Sequence, residues 1–451
     1  MTEKRNSMVT DLTTGSVVKQ LLVFSFPLFA SNMLQAIYNV VDMVVVGRVI
    51  GEAGMSAVSV GGEILHVLTF IAMGFSSAGQ VIISQHVGAG RMEQVKKTIG
   101  TMFTFLLVTS LLLSVLCYIL RENILVWLNT PEESYAYTRD YTVTCIIGLF
   151  FIYGYNIVSA ILRGMGDSKR PFVFVAVAAV LNIVLDIWFV AGLGMAAFGA
   201  ALATVIGQGV SFVASLWYLY RHKASFGFDF KPESFRITKP ALLRLIGLGV
   251  PMAIQSAAVN ISKIVLTAWI NSFGVTMSAI GGLYSKINTM FSVVSNSFTT
   301  AGSSMTGQSI GAKKYRRVPE ILRTNLLIMT LISAVATIAM LYQSDAIFGL
   351  FTSDRLVLDH ASVIIAPAIV NFFGAATRCM AFALINGSGN SKLNLAVAVL
   401  DGMIARVGLA ALLGFVFAMG CQGFWYGDAF AGFVPLLISM TFYLSGKWKK
   451  D

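Results

Sequence analysis

Charge is scarce in this 451-residue chain: Asp, Glu, Lys and Arg together make 12% of it, against 56% hydrophobic residues. With a mean hydropathy of +0.78, it is too apolar for an ordinary soluble protein and fits a polytopic membrane protein. Cysteine and histidine number four each. Cys117, Cys145, Cys379 and Cys421 fall within or at the edges of apolar runs without metal-ligand spacing, which marks them as small apolar residues. His66, His86, His222 and His360 are scattered through distant segments and form no ligand set or catalytic triad, which argues against an enzyme. No GxxxxGK[ST] occurs; GMGDSK at Gly164 lacks that spacing, so an ATP-driven pump has no nucleotide site here. Acidic residues are fewer than basic ones, and the net charge is +11. The basic residues sit in short loops between apolar runs, where they report membrane orientation and not nucleic-acid binding.

What is present is a series of twelve apolar segments of spanning length. They lie near 19–46, 55–84, 98–120, 139–161, 170–190, 195–219, 242–270, 277–305, 321–342, 360–385, 393–416 and 420–444. The polar start, MTEKRNSMVTDLTTGS, runs into the first span without a small-residue cleavage site, so no removable signal peptide is expected. Loops alternate in charge. Arg91, Lys96 and Lys97, then Arg163, Lys169 and Arg170, then Lys313, Lys314, Arg316 and Arg317 mark one side. Glu122, Glu132 and Glu133, with Asp345, Asp354 and Asp359, mark the other. The positive-inside rule then places both termini in the cytoplasm, and the expected location is the inner (plasma) membrane.

The halves repeat. SQHVGAG around Gln85 aligns with GQSIGAK around Gln308, and RGMGDSK at Arg163 with NGSGNSK at Asn386. Gln85 and Gln308 stand 223 residues apart, as do Gly164 and Gly387; Pro27 and Pro251, each in the first span of its half, stand 224 apart. Matched offsets at distant sites indicate an internal repeat, and an even number of spans per copy gives both the same orientation. The expected fold is an all-α membrane protein with two parallel-related six-helix lobes around a central cleft. The expected division is 1–220 for the N-terminal lobe, 221–244 for a cytoplasmic linker and 245–451 for the C-terminal lobe.

Within the fifth span, KRPFVFVAVAAVLNIVLDIWFV, Asp186 has no basic neighbour. A charged aspartate at mid-bilayer costs about 2.5–3.5 kcal/mol on insertion scales, so it should face protein or a water-filled cavity. Asn182, four residues earlier, shares its helix face. The bland alternative is a buried, hydrogen-bonded structural group.

These features together resemble the multidrug and toxic compound extrusion (MATE) family: paired LRGMGDSK and INGSGNSK loops, SQHVGAGR and GQSIGAKK loops, acidic NTPEE and FTSD segments, and six spans plus six. The resemblance covers essentially the whole chain. It implies a secondary antiporter that exports organic, often cationic, compounds in exchange for H+ or Na+, with no cofactor. The pattern is similar to that of the prokaryotic DinF-type branch, whose cation site matches Asp42, Asn182, Asp186 and Thr204 here. Those four would also hold the metal ion if sodium couples. Spans seven and ten contain no Asp or Glu, unlike branches with a C-terminal acidic site. Counting inward from the span ends at 1.5 Å per residue, Asp42, Asp186 and Thr204 share the outer half of the membrane. The repeat offset maps Asp42 onto Val265 and Asp186 onto Leu409, so the acids belong to one lobe only.

Pro27 is expected to bend the first span. Gln35, Tyr38 and Asn39, one or two turns before Asp42, and Asn156 in span four are candidate cavity residues. Glu63 and Lys286, related by the repeat offset, are a candidate interlobe pair. Lys263, Arg378, Asp401, Arg406 and Asp428 have three open roles: local pairing, lining a C-lobe cavity, or reaching toward the interface. The expected partners are small organic cations and the bilayer, with no nucleic acid, and the expected working form is a monomer. A lipid-linked oligosaccharide flippase or polysaccharide exporter of the same superfamily is the rival reading; it predicts a cationic cleft for phosphate.

Overall fold

In lipid every backbone N–H and C=O must find a partner within its own segment, so long apolar runs become helices. The computed structural model describes residues 9–449; the polar start considered above lies partly outside them. Among the described residues twelve long helices carry the fold. In the first half these are α1 (Val17–Ile50), α2 (Glu52–Gly88), α3 (Met92–Trp127), α4 (Glu132–Gly164), α5 (Lys169–Gly192) and α6 (Ala196–Arg221). In the second they are α7 (Lys239–Asn271), α8 (Val275–Gly311), α9 (Arg317–Tyr342), α10 (Arg355–Ser388), α11 (Ser391–Val416) and α12 (Cys421–Leu444). Eleven of them are long and apolar enough to cross a membrane. The other, α8, is 37 residues long but rich in Ser, Thr and Asn, so its polar faces need protein or water around them. No strand occurs among the described residues.

The chain forms two compact units. One holds Phe26–Val250 with the described residues through Asp11; the other holds Leu12–Ser25 and the described residues from Pro251 on. Two of the three transitions fall inside helices and next to the repeat-related prolines: α1 passes from one unit to the other beside Pro27, α7 beside Pro251. Proline has no N–H to close the helical ladder, and near Pro27 the Ser31 hydroxyl turns back to donate to the Pro27 carbonyl at 2.8 Å.

In the first unit α4 is the central helix, packed along α2, α6 and α3. In the second unit α10 holds the corresponding place against α8, α9 and α12. The repeat seen in the loops is therefore also a repeat of packing.

Within the connection expected at 221–244, residues 226–235 pack onto α3. Phe226 and Phe228 are buried, and Phe228 stacks on Phe103 at 6.3 Å and meets Phe235 edge-on at 5.2 Å. Asp229 accepts from Lys96 Nζ at 3.0 Å and from the Ser234 hydroxyl at 2.5 Å. Those two donors, the Ser234 hydroxyl first, hold the Asp229 carboxyl well below the usual carboxylate range. Gly100 of α3 meets the Ser234 carbonyl so closely that a Cβ there would overlap it.

Candidate functional site

Three helices of the first unit bring the sequence candidates together. Asp42 comes from α1, Asn182 and Asp186 from α5, and Thr204 from α6; all four are buried, Asp186 completely. The Asn182 amide donates to the Thr204 hydroxyl at 3.3 Å, and that hydroxyl donates to Asp42 Oδ2 at 3.3 Å. Asp42 and Asp186 lie side by side, close enough to share a hydrogen bond once one of them carries a proton. With both ionised, Asp42 Oδ1 and both Asp186 oxygens have no donor, and neither does Asn182 Oδ1.

Local structure helps to present these groups. α5 is α-helical through Asp186 and turns π-helical over Ile187–Gly192; such widened turns interrupt the regular ladder and recur at functional sites. The shell around the acids is apolar: Val46, Ala57, Val190, Ala197, Ala200 and Ala201 pack with Tyr141 and Cys145 of α4. Among apolar neighbours, buried acceptors without donors are costly, about 1–3 kcal/mol each. Four oxygen acceptors without donors suit a proton or a hard cation such as sodium. Among the described residues no three His, Cys, Asp or Glu side chains converge, so a sodium ion would draw on the amide and hydroxyl oxygens too.

The other candidates divide. Tyr38 is half-buried and lies beside Asp42, Gln208 and Tyr155. Gln35 is half-buried one turn away, and Asn39 is exposed. Asn156 spends its amide on the Ile152 carbonyl, at 2.8 Å in its own helix. Glu63 is exposed on α2 in the first unit; Lys286 is exposed on α8 in the second, with its ammonium 5.9 Å from the Phe351 ring centre. Sequence reasoning missed Tyr141, Cys145 and Gln208. Tyr141 and Cys145 are four apart on α4 and thus share a face, but an apolar span offers many such pairs.

In the second unit the undecided charges resolve in part. Arg406 is buried and reaches Asp401 at 3.3 Å; its other amino group bonds Asp428. These three pair locally.

A family model described as MatE matches residues 27–188 and 251–414, one stretch in each half of the repeat. The chain belongs to the MatE family. Among curated proteins this family member is similar to the probable multidrug resistance protein YoeA of Bacillus subtilis (strain 168), at 28% identity over 96% of this chain and 95% of that one. It is also similar to the probable multidrug resistance protein YpnP of the same organism, at 32% identity over 68% of each chain. Among solved structures, its fold is similar to that of a multidrug resistance MATE family transporter of the MOP superfamily in an outward-facing conformation. That likeness has a TM-score of 0.91 at 20% identity and covers both chains fully. This MatE chain is thus a multi-pass membrane transporter built almost wholly of helices.

Proposed function

We propose that the protein is a secondary multidrug efflux antiporter of the plasma membrane, exporting organic cationic amphiphiles in exchange for H+ or Na+ by alternating access. The names of its relatives support the multidrug reading. The observation that carries the antiport reading is the paired burial of Asp42 and Asp186 without a basic partner, only Asp42 receiving a hydrogen bond, from Thr204, which in turn accepts from Asn182. Such a pair gains little from holding two charges and gains much from an ion that removes one.

Facing outward, the pair takes up a proton or sodium ion, the local negative charge falls and a bound organic cation is released. Facing inward, the ion leaves, the carboxylates regain charge and the next cation binds. Expelling one monovalent cation against an inside-negative potential costs about 2.3 kcal/mol per 100 mV, and one entering cation cancels that electrical term. Pro27, at the point where α1 changes unit, lets that helix bend as the charge on Asp42 changes. Both termini are cytoplasmic in this scheme, and one chain is the working unit.

The test is efflux of a fluorescent cation from liposomes carrying the purified protein. A sodium gradient and a pH gradient are applied separately. Export driven by one of them, and abolished in Asp42→Asn and Asp186→Asn, is expected; export driven by neither overturns the reading.

A further inference from the structure

The repeat offset of 223 residues carries Asn182 to Ala405, beside Arg406, and Thr204 to Gly427, beside Asp428. It carries Asp42 to Val265, two residues from Lys263. The second unit thus places charged groups on the same three helices of its repeat, α7, α11 and α12, that form the acidic site in the first. The sign is reversed. Lys263, Arg378 and Arg406 face one another electrostatically with only Asp401 and Asp428 to balance them.

Both acids are taken by Arg406. Among the described residues Arg378 has no carboxylate within ion-pair distance, and its Nε and Nη2 atoms are buried without an acceptor. The guanidinium fits there because Gly432 has no side chain; a Cβ at that position would stand 2.6 Å from Arg378 Nη2. Trp425 is 1% exposed, and its indole Nε1 also lacks an acceptor, as does Arg406 Nε. Lys263, Tyr284, Asn288, Trp425 and Asp428 line a pocket within the same unit, onto which the exposed Lys263 opens. Buried N–H groups without acceptors on three residues, two guanidiniums and one indole, beside a net excess of one positive charge, form the inverse of the first unit's orphaned oxygens. Such donors are costly to bury unless an acceptor arrives, and guanidinium with ammonium suits a planar or tetrahedral oxyanion.

We propose that the second unit holds an oxyanion-binding site, in which Lys263 and the Trp425 indole, both lining the pocket, take the carboxylate or phosphate group of an amphiphile and the neighbouring Arg378 adds its uncompensated positive charge. Its occupant is either a free organic anion or the headgroup of an anionic lipid. The site rests on the second unit alone and does not depend on coupling through Asp42 and Asp186.

Fluorescence titration of the full chain in phosphatidylcholine nanodiscs tests it, with empty discs subtracted. The probes are dansyl-glycine, a carboxylate, and dansyl-glycinamide, its neutral counterpart. The carboxylate is expected to bind about tenfold more tightly, with Lys263→Gln and Arg378→Gln each removing most of that preference and sparing the amide. Lys263 is exposed, so its variant stays informative if Arg378→Gln fails to insert. Replacing part of the lipid with phosphatidylglycerol separates the sources: competition with dansyl-glycine identifies a headgroup, undiminished binding a free anion. Equal affinity for the two probes, or full native preference in both variants, overturns the proposal. Asp42→Asn keeps the preference if the site is as described, so this result and the transport result fail independently.

Discussion

The Thr204 hydroxyl donates to Asp42 at 3.3 Å, joining residues 162 positions apart in the chain. Because that hydroxyl also accepts from Asn182, its one proton is committed to Asp42, and Asp186 is left without a donor. The two acids are therefore not equivalent: Asp42 is supported as a carboxylate, whereas Asp186 has no such support.

Neutralising either acid removes the charge change on which exchange depends. Asp42→Asn and Asp186→Asn are expected to lower uphill export at least about tenfold, near 1.4 kcal/mol or more in effective barrier. Thr204→Val keeps the shape and removes one neutral-to-charged hydrogen bond, worth about 1.5–3 kcal/mol at most, and should shift the ion concentration for half-maximal rate more than the maximal rate. Efflux from liposomes at several ion concentrations separates the two effects.

Much of this arrangement is legible in the sequence. Apolar runs give eleven of the helices, with α8 the polar exception, and Asn182 and Asp186 at four-residue spacing give one face of α5. The resemblance supplies Asp42 and Thr204. Arg406 with Asp401 is different, because five residues on an α-helix point well apart. The turn between them, Leu400–Ala405, is π-helical, and its i→i+5 closure brings the two onto one side. No sequence pattern announces that widening. The segment SFGFDFKPESF was legible in principle: Phe226, Phe228 and Phe230 alternate with small or polar residues, a sign of burial that its basic neighbours obscure. The mid-helix change of unit near Pro27 and Pro251 follows from tertiary packing, and hydropathy reads straight through it.

Gly100 is a steric prediction. A methyl group there would overlap the Ser234 carbonyl, and backbone cannot swing aside as a long side chain can. Gly100→Ala should cost about 1–3 kcal/mol by overpacking and release the 227–236 segment. A lower unfolding temperature in detergent, with new protease cleavage confined to that segment, is the expected outcome.

Asp229 predicts a pH dependence with a definite sign. Its folded-state value is depressed by Ser234 and Lys96, so the contribution of this carboxylate is fully present above the unfolded value of about 3.9. It is lost only as pH falls through the lower folded value. Attachment of the segment to α3 should therefore stay constant from pH 7 to about 4.5 and loosen only in stronger acid. Asp229→Asn should loosen it already at neutral pH. Limited cleavage by an acid-tolerant protease across this range measures both.

Arg406 offers a test of what buried charge does for stability in the second unit. Arg406→Met would leave Asp401 and Asp428, 1% and 7% exposed, as two buried acids without their shared cation. Breaking a buried pair by removing one partner costs about 3–5 kcal/mol, whereas replacing all members with apolar groups is often neutral. The single variant should insert poorly and unfold at lower temperature. The triple variant Arg406→Met, Asp401→Leu, Asp428→Leu should recover most of the native unfolding temperature. If the triple variant is as unstable as the single one, the charges are needed for packing geometry itself, and the ion triad is structural in a way that electrostatic pairing alone does not explain.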